Sequence, residues 1–319
     1  MKVRQTILIA AGLGVFAPAP AVAQLPAETP VPTAASSGLP TPASAQVPEW
    51  VGPLGYRASE LVEVRIGPYG MPLVQVDVAG VSRWLLFDTG DMVGVSLTTS
   101  ELSSQELPVD STWRRLDSDG SVIGEFRRLR APSVRAFGRE LGPLPIYEVD
   151  GLVVPGLIGL DLLPGGRFTL DYGSGLLAVT DTPLGEPPAG FEELPLVRSR
   201  RHPRLILAYC RIGEREVLTE FDTGKSRTVI SPELARELGL VPDDRGVRID
   251  ALGVGSATFG IPSAKLVSLA DIDRSLPAPI ELSVGSDVMS ELVITVDYAT
   301  GRLLVGERRP PQRGAVRVR

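Results

Sequence analysis

The chain has 319 residues but a single cysteine, Cys210, and a single histidine, His202. One cysteine excludes an intrachain disulfide. Cys210 ends the apolar run 205–210, which reads as a buried strand, with an intermolecular bridge as the alternative. One histidine excludes zinc sites built on several imidazoles. His202 stands among Arg200, Arg201 and Arg204, the setting of a surface side chain. There is no Gly-x-Ser-x-Gly elbow, no phosphate-binding glycine loop and no cysteine pair. Asp117, Asp119 and Gly120 resemble the middle of a calcium loop, but Arg115 and Phe126 stand where its first and last acidic ligands belong. That segment reads as a solvated turn. No metal and no cofactor is expected. No run beyond the N-terminus is apolar and long enough to span hydrocarbon, so no transmembrane segment is expected in the mature chain.

What the chain does have begins with Lys2 and Arg4, a short apolar stretch over 7–17 and Ala21-Val22-Ala23. That order is the pattern of a secretory signal peptide over 1–23, cleaved near Ala23, and implies a periplasmic or secreted location. The formal net charge of −6 becomes more negative once Lys2 and Arg4 are removed, which argues against nucleic acid as a partner. The 34 glycines and 29 prolines favour short strands and turns over long helices. Residues 24–54, rich in Pro, Ala, Ser and Thr, read as a disordered tether. Residues 309–319 read as a solvated basic tail.

Between these ends the chain is written twice. Leu85-Leu86-Phe87-Asp88-Thr89-Gly90 is matched by Thr219-Glu220-Phe221-Asp222-Thr223-Gly224. Leu157-Ile158-Gly159-Leu160-Asp161 is matched by Ser283-Val284-Gly285-Ser286-Asp287, and Asp171-Tyr172 by Asp297-Tyr298. The order is shared, and the spacing from Asp161 to Asp171 equals that from Asp287 to Asp297. Copy one is longer overall by 8 residues between the first and the later landmarks, an excess assigned to its loops. Period-two apolar patterning makes both copies mainly β. Each offers one short helix: Ser231-Pro232 starts one and Gly239 stops it, and its counterpart runs from near Ser100 to before Pro108. The expected units are an N-terminal lobe over 55–182, a linker over 183–191 and a C-terminal lobe over 192–308.

In each copy an apolar strand leads into Asp-Thr-Gly, so the aspartate stands where a buried strand meets a tight loop. A pseudo-twofold arrangement of the lobes brings Asp88 opposite Asp222. Two close carboxylates share a proton, which allows one to take a proton from water while the other donates one. At this point the chain resembles the retropepsin-like aspartic protease family, duplicated within one polypeptide, over roughly 60–180 and 192–306. The resemblance rests on Phe87-Asp88-Thr89-Gly90, Phe221-Asp222-Thr223-Gly224 and Leu157-Ile158-Gly159. It implies an all-β, pepsin-type fold of two retropepsin-like lobes forming an intrachain pseudo-dimer, and hydrolysis of protein or peptide substrates by Asp88 and Asp222. It implies that Thr89 and Thr223 tie the two loops together, beside Gly90 and Gly224. It also implies β-hairpin flaps over the cleft, placed at 112–128 and 247–260, with Gly120, Gly124, Gly253 and Gly255 at their turns.

Three residues depart from the family pattern. Asp91 and Lys225 occupy a position where the family places a small residue, and each would shift the titration of the dyad. They are expected to pair with each other if the lobes face as proposed. Ser283 replaces an apolar residue. Asp161 and Asp287, each two residues after Gly159 or Gly285, are expected to be structural anchors that accept backbone N–H bonds. Aspartic endopeptidase is the leading reading. The alternatives are a catalytically weak or inactive protein that binds peptides or partner proteins in the same cleft, and a homodimer in which each lobe pairs with its own copy. The short linker at 182–190 favours a monomer over the last.

Overall fold

The computed structural model describes residues 47–116, 122–163, 165–269 and 275–307. The expected signal peptide, residues 24–46 of the tether, Asp117, Asp119, Gly120 and the tail over 309–319 lie outside the described residues. The described chain is predominantly β, with a few short helices.

The N-terminal half runs β1 (Leu61–Ile66), β2 (Pro72–Val78), β3 (Val81–Asp88), β4 (Val95–Thr98), α1 (Thr99–Ser103), β5 (Val109–Leu116), β6 (Val122–Ala136), β7 (Arg139–Val149), β8 (Gly156–Gly159), a 3-10 turn (Leu160–Leu162), β9 (Arg167–Asp171) and β10 (Leu176–Thr180). The C-terminal half runs β11 (Phe191–Pro195), β12 (Leu207–Ile212), β13 (Arg215–Phe221), β14 (Val229–Ile230), α2 (Pro232–Glu237), β15 (Pro242–Asp243), β16 (Gly246–Val254), β17 (Ala257–Leu266), β18 (Leu282–Val284), α3 (Ser286–Met289), β19 (Leu292–Asp297) and β20 (Arg302–Glu307). The pairings repeat with the order. β3 lies parallel to β8 as β13 does to β18. β4 is antiparallel to β8 and parallel to β7, and β14 treats β18 and β17 in the same way.

Alternation explains the strands. In β2, Val74, Val76 and Val78 are fully buried while Gln75 between them is exposed, as a period of two requires. The helices are too short to persist alone and are held by caps and packing. Thr98 Oγ1 accepts from Glu101 N at 3.4 Å, and Ser231 Oγ accepts from Leu234 N at 3.0 Å with Pro232 in the first turn.

The described residues form two sheets. One has seven strands, all from the C-terminal half; the other has thirteen and joins both halves. The larger sheet bends within β1, whose first residues pair with β10 and whose last pair with β2. Six of its strands run in the order β11-β20-β19-β9-β10-β1, three from each half. The seam is β9 against β19, antiparallel, with Thr169 opposite Thr295 and their hydroxyls 2.7 Å apart. Those two residues hold equivalent places in the two copies, so the register is symmetric about them.

Two sequence expectations change here. Residues 47–54, assigned to the tether, belong to the fold: Trp50, Val51 and Leu54 are buried with Tyr56 against Ala178, Val293 and Leu304 of the shared sheet. Trp50 Nε1 also donates to Asp171 at 2.8 Å. Apolar anchors inside a proline-rich run explain the difference. The overall loop excess of copy one conceals two opposite changes. The copies are offset by 133 residues at the helix caps Thr98 and Ser231, by 118 at the hairpin residues Phe137 and Gly255, and by 126 at Leu157 and Ser283. Copy one therefore has a much longer β5–β6 hairpin, and copy two a longer connection from β17 to β18. The hairpin over 112–128 is present, its tip outside the described residues. The hairpin at 247–260 is β16–β17, the counterpart of β6–β7. The true counterpart of β5–β6 is the tight turn between β15 and β16, so the expected second flap is misplaced.

Candidate functional site

The two Asp-Thr-Gly loops meet where the halves face each other. Each threonine reaches across. Thr89 Oγ1 donates to Phe221 O at 2.7 Å and accepts from Thr223 N at 2.9 Å. Thr223 Oγ1 accepts from Thr89 N at 3.0 Å and donates to Phe87 O. All of these groups are buried, so the bonds are shielded from water and fix the approach of the loops.

The glycines bring the carboxyl groups together. A Cβ on Gly90 would lie 2.5 Å from Asp222 Oδ2, and one on Gly224 would lie 2.4 Å from Asp88 Oδ2. Neither glycine has a positive φ. Their value is the missing side chain rather than backbone freedom, because each carboxyl group rests on the other loop's glycine. Within its own loop Asp88 Oδ1 accepts from Gly90 N at 2.9 Å and Asp91 N at 3.1 Å, and Asp222 Oδ1 accepts from Gly224 N at 2.8 Å. Asp88 is 7% and Asp222 2% exposed. Burial first, then the charges of Asp222 and Asp91, push the Asp88 carboxyl well above the ordinary carboxylate range.

Lys225 does not face Asp91 as expected. Its ammonium donates to Asp222 Oδ2 at 2.5 Å and to Glu220 Oε2 at 3.0 Å. Burial works against its charge, but Asp222 and Glu220 outweigh that and hold its pKa above the ordinary lysine value. Glu220 Oε2 also accepts from Ser283 Oγ at 2.8 Å. Asp91 is buried on the other side, where its Oδ2 accepts from Val93 N at 3.3 Å. Glu220 is the residue that sequence reading missed. It stands near the end of β13, two positions before Asp222, where copy one has Leu86, and an acid inside a buried strand was the available signal.

Gly159 and Gly285 brace the loops from behind. A Cβ would meet Asp91 O at 2.4 Å in the first case and Lys225 O at 2.6 Å in the second. The two expected aspartate anchors differ. Asp287 accepts from Thr228 N at 2.9 Å and from Thr228 Oγ1 at 2.8 Å. Asp161 is exposed, near Arg204 and His202, and does not repeat that role. Asp287→Ala is expected to cost about 1.5–3 kcal/mol, since Thr228 loses its charged acceptor. Asp161→Ala should stay within about 0.5 kcal/mol. Urea unfolding of the two variants checks the contrast.

The repeated Asp-Tyr landmarks supply stronger anchors than Asp161. Asp171 accepts from Trp50 Nε1, from Gly173 N at 2.8 Å and from Ser174 N at 3.2 Å. Asp297, fully buried, accepts from Leu184 N at 2.6 Å, Ala299 N at 2.9 Å and Thr300 N at 3.1 Å. Burial raises the Asp297 pKa, but these donors outweigh it and hold the carboxyl below its ordinary range. A folded-state pKa below the unfolded value means stability present above about pH 4 and lost as pH falls through the folded value. Thermal unfolding from pH 6 down to pH 2 should show a loss of stability that is smaller in Asp297→Asn.

No model of a known protein family matches the chain, and no curated protein is found to match it. Among the described residues, no group of three or more His, Cys, Asp or Glu side chains is arranged to hold a metal ion. A cavity opens beside the loops, with Met71, Leu86 and Val154 from one half and Lys225, Arg227 and Lys265 from the other. The long hairpin of copy one carries Trp113, packed edge-on against Tyr147 with ring centres 5.4 Å apart. The Cys210 thiol is buried, and burial pushes it up to about 12, an unreactive state.

Proposed function

We propose that this protein is an exported aspartic endopeptidase of retropepsin-like type, with one site per chain assembled from its two copies. The observation that carries the reading is the reciprocal contact of Gly90 with the Asp222 carboxyl and of Gly224 with the Asp88 carboxyl. Two buried carboxyl groups on equivalent loops share one small space, and the raised pKa of Asp88 favours a proton there. The hydroxyl bonds of Thr89 and Thr223 hold the arrangement, and a cavity lined in part by Gly224 and Lys225 opens beside it.

In the proposed reaction, ionised Asp222 takes a proton from water as the water oxygen bonds to the peptide carbon. Protonated Asp88 gives its proton to the carbonyl oxygen. In the tetrahedral intermediate, Asp222 returns its proton to the amide nitrogen as the carbon–nitrogen bond breaks. Asp88 recovers a proton from the former carbonyl or water oxygen. Atoms and charge balance, and no metal or covalent intermediate enters.

A second reading, a cleft that binds peptides without cutting them, is favoured by one observation: the Lys225 ammonium sits directly on Asp222. Purified protein incubated with a diverse peptide library between pH 3 and 8 separates the two, with new termini read by mass spectrometry. Cuts that vanish in Asp222→Asn support the protease. Retained peptides without cuts support the second reading.

A further inference from the structure

Copy two differs from copy one at three positions that touch. In copy one, Leu86 and Leu157 are neighbours across β3 and β8, part of an apolar cluster with Met71 and Val154. In copy two, the same ladder places Glu220 beside Ser283 across β13 and β18. The third position holds Asp91 in copy one and Lys225 in copy two. The three polar residues of copy two are bonded in series, Ser283 Oγ to Glu220 and Lys225 Nζ to both Glu220 and Asp222. All are buried: Ser283 0%, Glu220 7% and Lys225 7% exposed. A buried ammonium needs compensating negative charge, and here it takes that from two carboxylates.

We propose that Lys225, Glu220 and Ser283 form a positioning network that keeps Asp222 ionised and leaves the shared proton on Asp88. The inference rests on the dyad reading above and assigns its roles: Asp222 is the base and Asp88 the acid. The groups facing the two carboxyls are Asp91 from the loop after β3, Glu220 and Lys225 from β13 and its loop, and the Tyr172 phenol after β9. Asp287, held by Thr228 at α3, acts on that phenol from behind. The only cation among them lies on Asp222. Asp91 lies beside Asp88, where a second negative charge opposes ionisation. Glu220 holds the ammonium against Asp222, and Ser283 orients Glu220. Mere filling of the apolar site of copy one would not require three coordinated polar residues.

The test reads protonation directly, apart from activity. Full-length protein with 13C-labelled aspartate carboxyls is titrated by NMR, the two signals being assigned through Asp88→Asn and Asp222→Asn. Of the two signals, that of Asp222 is expected to report the ionised carboxyl and that of Asp88 the protonated one, as the ammonium on Asp222 requires. Lys225→Met should raise the Asp222 midpoint by about 1–3 pH units, and Lys225→Arg should restore it. Asp91→Asn should lower the Asp88 midpoint. If Lys225→Met does not fold, the wild-type and Asp91→Asn titrations decide. A proton found on Asp222 with Asp88 ionised, or midpoints unmoved by the variants, overturns the proposal. Peptide cleavage is measured in parallel. The expected titration without cleavage sinks the protease reading and keeps the network, and cleavage with a reversed titration does the opposite.

Discussion

Asp88→Asn and Asp222→Asn are each expected to lower peptide hydrolysis by about 10²–10⁴-fold while leaving the protein folded at the assay temperature. Asparagine keeps the size of the side chain and can still accept the loop's N–H bonds through its carbonyl oxygen. It cannot pass a proton at the required step. The double variant should lose little more than either single one, because both carboxyls belong to one chemical unit. The losses should also differ in kind. In Asp222→Asn the Lys225 ammonium keeps only Glu220 as a charged partner, so that variant is the less stable of the two. The assay is steady-state cleavage of a peptide recovered from the library, with circular dichroism melting as the fold control. Cleavage surviving in a pure Asp222→Asn sample would remove the dyad as its source.

The second large effect concerns the join. Thr89→Val and Thr223→Val should each cost about 2–5 kcal/mol, since each orphans one buried carbonyl and one buried N–H. Valine fills nearly the same volume, so the loss is one of hydrogen bonds rather than packing. The two threonines bond through one another, and the double variant should cost less than the sum by about 0.5–3 kcal/mol. Urea midpoints at constant slope measure this, and activity should fall with stability because both carboxyls ride on these loops. Additive losses would mean that the loops hold their positions independently.

Much of this was legible before any coordinates. Repetition made it so: Phe-Asp-Thr-Gly twice, Asp-Tyr twice and one conserved spacing imply repeated strands, and strand order and pairing do repeat. Ser231 announced its cap because a hydroxyl before proline has few other uses at that place. Other features were hidden for physical reasons. Trp50, Val51 and Leu54 are too few to raise the mean hydropathy of a proline-rich run, yet each finds a buried contact on the shared sheet. The β15–β16 turn carries glycine as hairpins do, but so does β16–β17, and composition does not say which matches β5–β6. Lys225 was seen as a modulator and given the wrong partner. Its acids belong to its own copy, Asp222 at 2.5 Å and Glu220 at 3.0 Å, and the alternation of an extended chain puts residues 220 and 222 on one face. Asp161 looked equivalent to Asp287 by position, but copy one has no Thr228 counterpart bonded to it.

The seam at Thr169 and Thr295 has a consequence for synthesis. When β9 leaves the ribosome its outer edge has no partner, because β19 lies 126 residues further along. At ordinary translation rates that interval lasts roughly 6–25 s. During it the nascent N-terminal half presents an open strand whose register is centred on one residue, a template able to pair with the same strand of another nascent chain. Neighbouring ribosomes on one message would hold such halves close together. The order in which residues emerge therefore sets a race between the intended partner and a twin, and slowing translation beyond residue 171 should increase the yield of entangled dimers.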